Sequence, residues 1–135
     1  AKGYRKTDNV IKNEENVVSY ALGAGDIYST VEDLYKWGEA LYSNKLISEK
    51  SLKMVFDGSA KDWGYYGYGF RIQPYQRGLA TKTNGILTRH GGTMDGFISN
   101  FHRYLDDDLT VIILSNYRNI PIRKMTFELK EIALG

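Results

Sequence analysis

ILTRHGGTMDGFISNFHRYLDDDLTVIIL, Ile86 to Leu114, holds three strand-like runs separated by two turns. Ile86 to His90 reads as the first strand, Phe97 to Tyr104 as the second and Thr110 to Leu114 as the third. Asp106-Asp107-Asp108 marks one turn and the glycine-rich stretch after His90 the other. Connections this short join antiparallel neighbours, because a parallel crossover needs a dozen or more residues. The apolar run Thr110 to Leu114 predicts a central strand covered on both faces.

Upstream, Tyr66, Tyr68, Phe70 and Ile72 alternate with Gly67, Gly69, Arg71 and Gln73. That period predicts a fourth strand with an aromatic face, closed by Pro74 and followed by a polar loop. Its bare glycines let another backbone or a ligand approach closely. Ser29-Thr30-Val31-Glu32 fits a capping box, and Val31, Leu34, Trp37 or Gly38, and Leu41 recur at helical spacing. A helix is expected from about Thr30 to Tyr42. A second should start at Ser48, with Ile47 as staple and Leu52, Val55 and Phe56 as its apolar face, and end at Asp57-Gly58. A last helix begins near Pro121, with Ile122, Met125, Leu129 and Ile132 on one face. Ala1 to Ala24 shows no period and reads as an irregular surface excursion. The order helix, helix, four strands, helix predicts an α+β fold, an antiparallel sheet with helices packed on it.

The 135 residues suffice for one domain. Hydrophobic residues at 42% and charged residues at 25% exclude general disorder. The net charge of +2 gives no argument for nucleic acid or an anionic membrane surface. The absence of cysteine rules out disulfides and thiolate metal sites, and no apolar run reaches the length of a membrane span. No metal or other cofactor is expected. His90 and His102 are the only histidines, so zinc would need carboxylates at no recognisable spacing. Asp106-Asp107-Asp108 lacks the alternation and later Glu of a calcium loop. Gly67-x-Gly69 lies in a strand pattern and is no dinucleotide fingerprint. The eleven tyrosines fit either a binding groove or, through alternation, a core.

His90-Gly91-Gly92-Thr93 is the candidate site. Glycines let a backbone come close to a substrate, the Thr93 amide N–H is an oxyanion donor, and His90 can orient substrate or help move a proton. The same residues also fit a tight turn with a surface or packed histidine.

Several stretches taken in order resemble the serine β-lactamase, DD-peptidase and esterase family, especially its class C-like branch. Gly25-Asp26-Ile27-Tyr28-Ser29-Thr30-Val31-Glu32-Asp33-Leu34 is similar to its turn and helix. Leu46-Ile47-Ser48 with Ser51-Leu52-Lys53-Met54 resembles the next helix, and Tyr66-Gly67-Tyr68-Gly69-Phe70 a strand. His90-Gly91-Gly92, Gly96-Phe97 and Val111-Ile112-Ile113-Leu114-Ser115-Asn116 resemble its last strands. The resemblance implies a site of three elements: S-x-x-K with the nucleophile, a Tyr- or Ser-based motif, and K-T-G on a sheet strand. It assigns His90-Gly91-Gly92 to the third element and one oxyanion N–H to Thr93, with Gly91 and Gly92 against the substrate. None of the eight serines has lysine three positions later, so the first element is missing from this sequence. Tyr42-Ser43-Asn44 fits Tyr-x-Asn but stands after the Ser-Thr helix, where the family has it before, and reads as a helix end.

The resemblance therefore predicts that residues 1–135 form a single incomplete domain, the C-terminal part of a hydrolase acting on a D-Ala-D-Ala peptide, a β-lactam or an ester. Its partners would be the N-terminal, nucleophile-bearing part and that substrate. The parent would sit outside the cytoplasmic membrane or attached to it. Alone, the chain should be inactive and prone to self-association. The alternative is a non-catalytic module that binds cell-wall peptide or a protein.

Overall fold

A computed structural model describes residues 1–14, 18–78 and 83–135. The chain opens with an antiparallel hairpin, β1 (Gly3–Thr7) and β2 (Val10–Glu14). Asp8 and Asn9 form its two-residue turn with φ of 49° and 66°, the left-handed pair that a tight hairpin needs and that Asp and Asn tolerate. The expectation of an irregular Ala1–Ala24 is thus corrected. Residues 15–17 of that stretch lie outside the described residues, and a 3-10 turn spans Val18–Ala21.

Helix α1 (Val31–Tyr42) starts one residue later than the Ser29 capping box implies. Thr30 is the cap, its Oγ1 accepting from Asp33 N at 3.1 Å. Helix α2 (Glu49–Val55) is capped by Ser48, whose Oγ accepts from Ser51 N at 3.2 Å. The four-stranded sheet is built from β3 (Arg71–Gln76), β4 (Asn84–Met94), β5 (Phe97–Tyr104) and β6 (Leu109–Ser115), antiparallel and in that order. Helix α3 (Ile122–Leu134) closes the chain. The α+β expectation holds, and so does the meander.

Three details differ from the sequence reading. Residues 66–70 form a turn, with only an isolated bridge between Tyr66 and Arg71, and β3 runs through Pro74. Pro74 is tolerated because β3 is an edge strand, where a missing N–H can face outward. Gly67 does take a close backbone: a Cβ there would overlap Val55 O, and Tyr68 N donates to that carbonyl at 3.1 Å. Strand β4 continues four residues past His90, so the glycine pair lies inside a strand and the turn is Asp95-Gly96. Finally, β6 ends the sheet order instead of lying centrally.

Two cores sit on opposite faces of the sheet. Tyr75, Leu87, Tyr104 and Val111 pack beneath α3 with Phe127 and Leu134. Leu41, Phe70 and Phe101 pack on the other face with residues of α1 and α2. Gly38 lets α1 lie directly on Phe101, whose ring would be 2.8 Å from an added Cβ. Among the described residues no helix is long and apolar enough to cross a membrane.

Candidate active site

Strand alternation divides the predicted residues between two faces. His90 pairs with Phe101 and shares the α1 face, as does Gly92 beside Ser99. Gly91 pairs with Asn100, whose Nδ2 donates to Thr126 Oγ1 of α3 at 3.0 Å, so Gly91 and Thr93 share the α3 face. All four residues therefore belong to one extended segment, with their side-chain directions alternating.

The pairing of β4 is unequal along its length. β3 accompanies it only as far as the Arg71–Arg89 pair. From His90 to Met94 it pairs with β5 alone, leaving one edge without a strand partner among the described residues. His90 is exposed there, its ring edge-on to Tyr66 with centroids 5.9 Å apart and planes at 70°. Thr93 is exposed as well. A Cβ on Gly91 would lie 2.5 Å from Asn100 Oδ1, whereas one on Gly92 would meet only Ser99 Oγ at 3.1 Å. Gly91 is thus fixed by packing beneath it, and Gly92 by less.

The far end of this segment is tied to the hairpin. Tyr4 N donates to Gly96 O at 3.2 Å and to Asn116 O at 2.8 Å, while Arg118 N donates to Tyr4 O at 3.0 Å. Gly96 has φ of 77°, and a Cβ there would overlap the Gly3 and Tyr4 backbone. A Cβ on Gly3 would lie 2.5 Å from Asp95 O. Two glycines are required for β1 to reach the turn at all.

Positive charge gathers on the α3 face of β4. Arg89 Nε donates to Gln73 Oε1 at 3.0 Å. Burial, then the charges of Arg123 and Arg71, lower the Arg89 pKa. His102 stands opposite Arg89 and is fully buried. Burial first, then Arg89 and Arg123, push its pKa down to about 4, so it is neutral at pH 7. Its Nδ1 lies 3.3 Å from Tyr104 Oη, and its Nε2 has no partner among the described residues. Among those residues no group of three His, Asp or Glu side chains is placed to hold a metal. The aspartate turn is occupied structurally: Asp106 accepts from Ile86 N at 2.7 Å, Asp107 holds Arg77 at 2.6 Å, and Asp108 pairs with Arg103.

Tyr42 belongs to the core. Its ring stacks on Phe56 at 4.9 Å, and its hydroxyl bonds Thr88 Oγ1. Burial pushes its pKa up to about 12, against the opposing pull of Thr88 and Arg103. Asn44, with φ of 59°, follows the helix end in the left-handed position common there. The helix-end reading of Tyr42-Ser43-Asn44 fits this arrangement. Sequence reasoning missed Tyr66, Arg71 and Arg123 as neighbours of β4, since only strand register and helix docking bring them there.

A family model described as Beta-lactamase matches residues 1–133. The chain belongs to the beta-lactamase family. It is 34% identical over 104 residues to a Bacillus subtilis (strain 168) protein that carries the name penicillin-binding protein PbpX. It is 30% identical over 109 residues to penicillin-binding protein 4* of the same organism. Each match covers 76% of this chain and 23% of the relative. The chain thus spans about a quarter of the length of these curated relatives. Family membership supports a serine-hydrolase-like fold and accounts for the order of elements described above.

Proposed function

We propose that this chain is the C-terminal part of a penicillin-binding-protein-type serine hydrolase, which transfers an acyl group from a D-Ala-D-Ala peptide, a β-lactam or an ester. The observation that carries this reading is the open edge of β4 from His90 to Met94. An extended edge without side chains at two successive positions suits an acyl substrate lying alongside it. The amide N–H of Thr93 is the oxyanion donor, aimed where charge develops as a carbonyl is attacked. His90, exposed beside Tyr66, orients the substrate or assists proton transfer. The positive charges of Arg71, Arg89 and Arg123 favour a substrate carrying a carboxylate.

The nucleophile is supplied by polypeptide other than these 135 residues, because no serine here has lysine three positions later. The chain alone therefore lacks acyl transfer. Incubation with a fluorescent penicillin is expected to leave it unlabelled, and stoichiometric labelling at a defined serine would overturn the reading. The same missing motif favours a second reading, a module that binds cell-wall peptide or a protein without catalysis. The coding sequence upstream of Ala1 separates the two. An in-frame S-x-x-K and Tyr-x-Asn there support the hydrolase, and a start codon with a ribosome site supports the module.

A further inference from the structure

His102 is completely buried, yet one of its ring nitrogens is unused. It faces α3 from β5. Arg89 stands opposite on β4 and Val111 opposite on β6. Along its own strand, Tyr104 Oη lies 3.3 Å from Nδ1, and the Asn100 amide is bonded to Thr126. From α3, Phe127 meets the ring edge-on with centroids 5.4 Å apart, and Arg123 stands one turn before Phe127. Whichever nitrogen of the neutral ring carries the proton, Nε2 has no partner among the described residues.

The charges around this ring have one sign. Arg89 is half-buried beside it and Arg123 is exposed, so positive charge leads from solvent to the buried imidazole. Arg71 stands opposite Arg89 on β3. None of the three arginines forms an ion pair among the described residues. The carboxylates of α3 are engaged elsewhere, Glu128 with Lys124 at 3.5 Å and Glu131 with Lys130 at 2.9 Å. Tyr104 adds no negative charge, because burial and then Glu131 push its pKa up to about 12. A protonated His102 therefore meets two arginines and no acceptor. An anion held by those arginines cancels the repulsion that opposes the imidazolium.

We propose that this face binds an anion and a proton together, a carboxylate or sulfate held by Arg89 and Arg123 and the proton on His102. The inference rests on the carboxylate assigned to these arginines above and adds its regulation: the anion is held more tightly as the medium turns acid. The sign follows from linkage, since an anion that favours the protonated ring is in turn bound better by it. His90 and the open edge of β4 take no part, so proton-linked binding and acyl transfer are separable.

Titration of the 135-residue chain with sodium sulfate at constant ionic strength tests it. Sulfate stays doubly charged over the range used, so a change in affinity reports the protein. The two histidine rings are followed by NMR and told apart by the through-space contact of His102 with Phe127. Sulfate should raise the His102 midpoint from about 4 by about 1.5 pH units, and by linkage it should bind about four times more tightly at pH 5 than at pH 7.5. His102→Gln should keep the affinity seen at pH 7.5 and lose the pH dependence. Arg123→Gln should weaken binding about tenfold at both pH values. Lys50→Gln, on α2 across the sheet, should change nothing. An unmoved His102 midpoint, or a pH dependence that survives in His102→Gln, overturns the coupling and leaves the carboxylate assignment standing. Binding that is absent at both pH values, or indifferent to Arg123→Gln, overturns the site and that assignment with it. The hydrolase reading is decided separately, by labelling with penicillin.

Discussion

His102 shows how one side chain couples the α3 face to pH. Its folded pKa of about 4 lies below the ordinary histidine value of 6.5, chiefly because burial disfavours the charged ring. Between those values the unfolded chain binds more protons than the folded one. Stability is therefore full above pH 6.5 and falls as the pH drops toward 4. The loss reaches about 3 kcal/mol at the lower end, from roughly 1.4 kcal/mol per pH unit. Urea midpoints at pH 7 and pH 4.5 measure it. The wild type should lose most of this increment, and His102→Gln should show a clearly shallower dependence. Equal slopes in the two proteins would remove His102 from the account.

Gly91 and Gly92 belong to the scale of the strand, since their neighbours are set by register. Gly91→Ala would drive its methyl against Asn100 Oδ1 and disturb the buried Asn100–Thr126 bond. The expected cost is about 1–3 kcal/mol. Gly92→Ala meets only the terminal oxygen of Ser99, which a rotamer change moves away, and should cost under about 1 kcal/mol. Equilibrium urea unfolding of both variants checks the difference, and a Gly92 cost matching that of Gly91 would contradict the face assignment. Much of this element was legible beforehand: Phe97–Tyr104 matches β5 residue for residue, because turn residues bound it on both sides. The bounds of β4 were not, because Gly91 and Gly92 have no strand propensity and pairing with β5 carries them. The hairpin was missed although Thr7-Asp8-Asn9-Val10 held a turn signal, since short polar strands show little alternation. Pro74 misled for the converse reason: an edge strand accepts it, and edge position is not written in local sequence. The four candidate residues could be named from their types and order. Their open edge could not, because it depends on where β3 stops pairing.

At the scale of the whole molecule, the sheet has cores on both faces but covers its apolar surface incompletely. Tyr20, Leu22, Ile27 and Tyr28 are each exposed by 72% or more, and they lie close together in sequence. Large apolar side chains exposed to this degree offer surface to an apolar probe. The isolated chain should enhance the fluorescence of an apolar dye such as ANS at neutral pH while keeping its near-UV circular dichroism. Retention of that signal separates exposed native surface from a molten state. Dye fluorescence no greater than that of a compact control protein would show that these side chains are covered in solution.

The contact of Gly3 with Gly96 also sets an order of events. Tyr4 leaves the ribosome long before the Gly96, Asn116 and Arg118 backbone that it bonds. At about 5–20 residues per second, roughly 5–25 s pass between the two. For that interval the hairpin lacks these backbone partners, and closing so long a loop carries an entropic cost that local contacts escape. The turn that finishes the His90–Met94 segment is thus clamped only after its own residues are made, by a hairpin that was synthesised well before it.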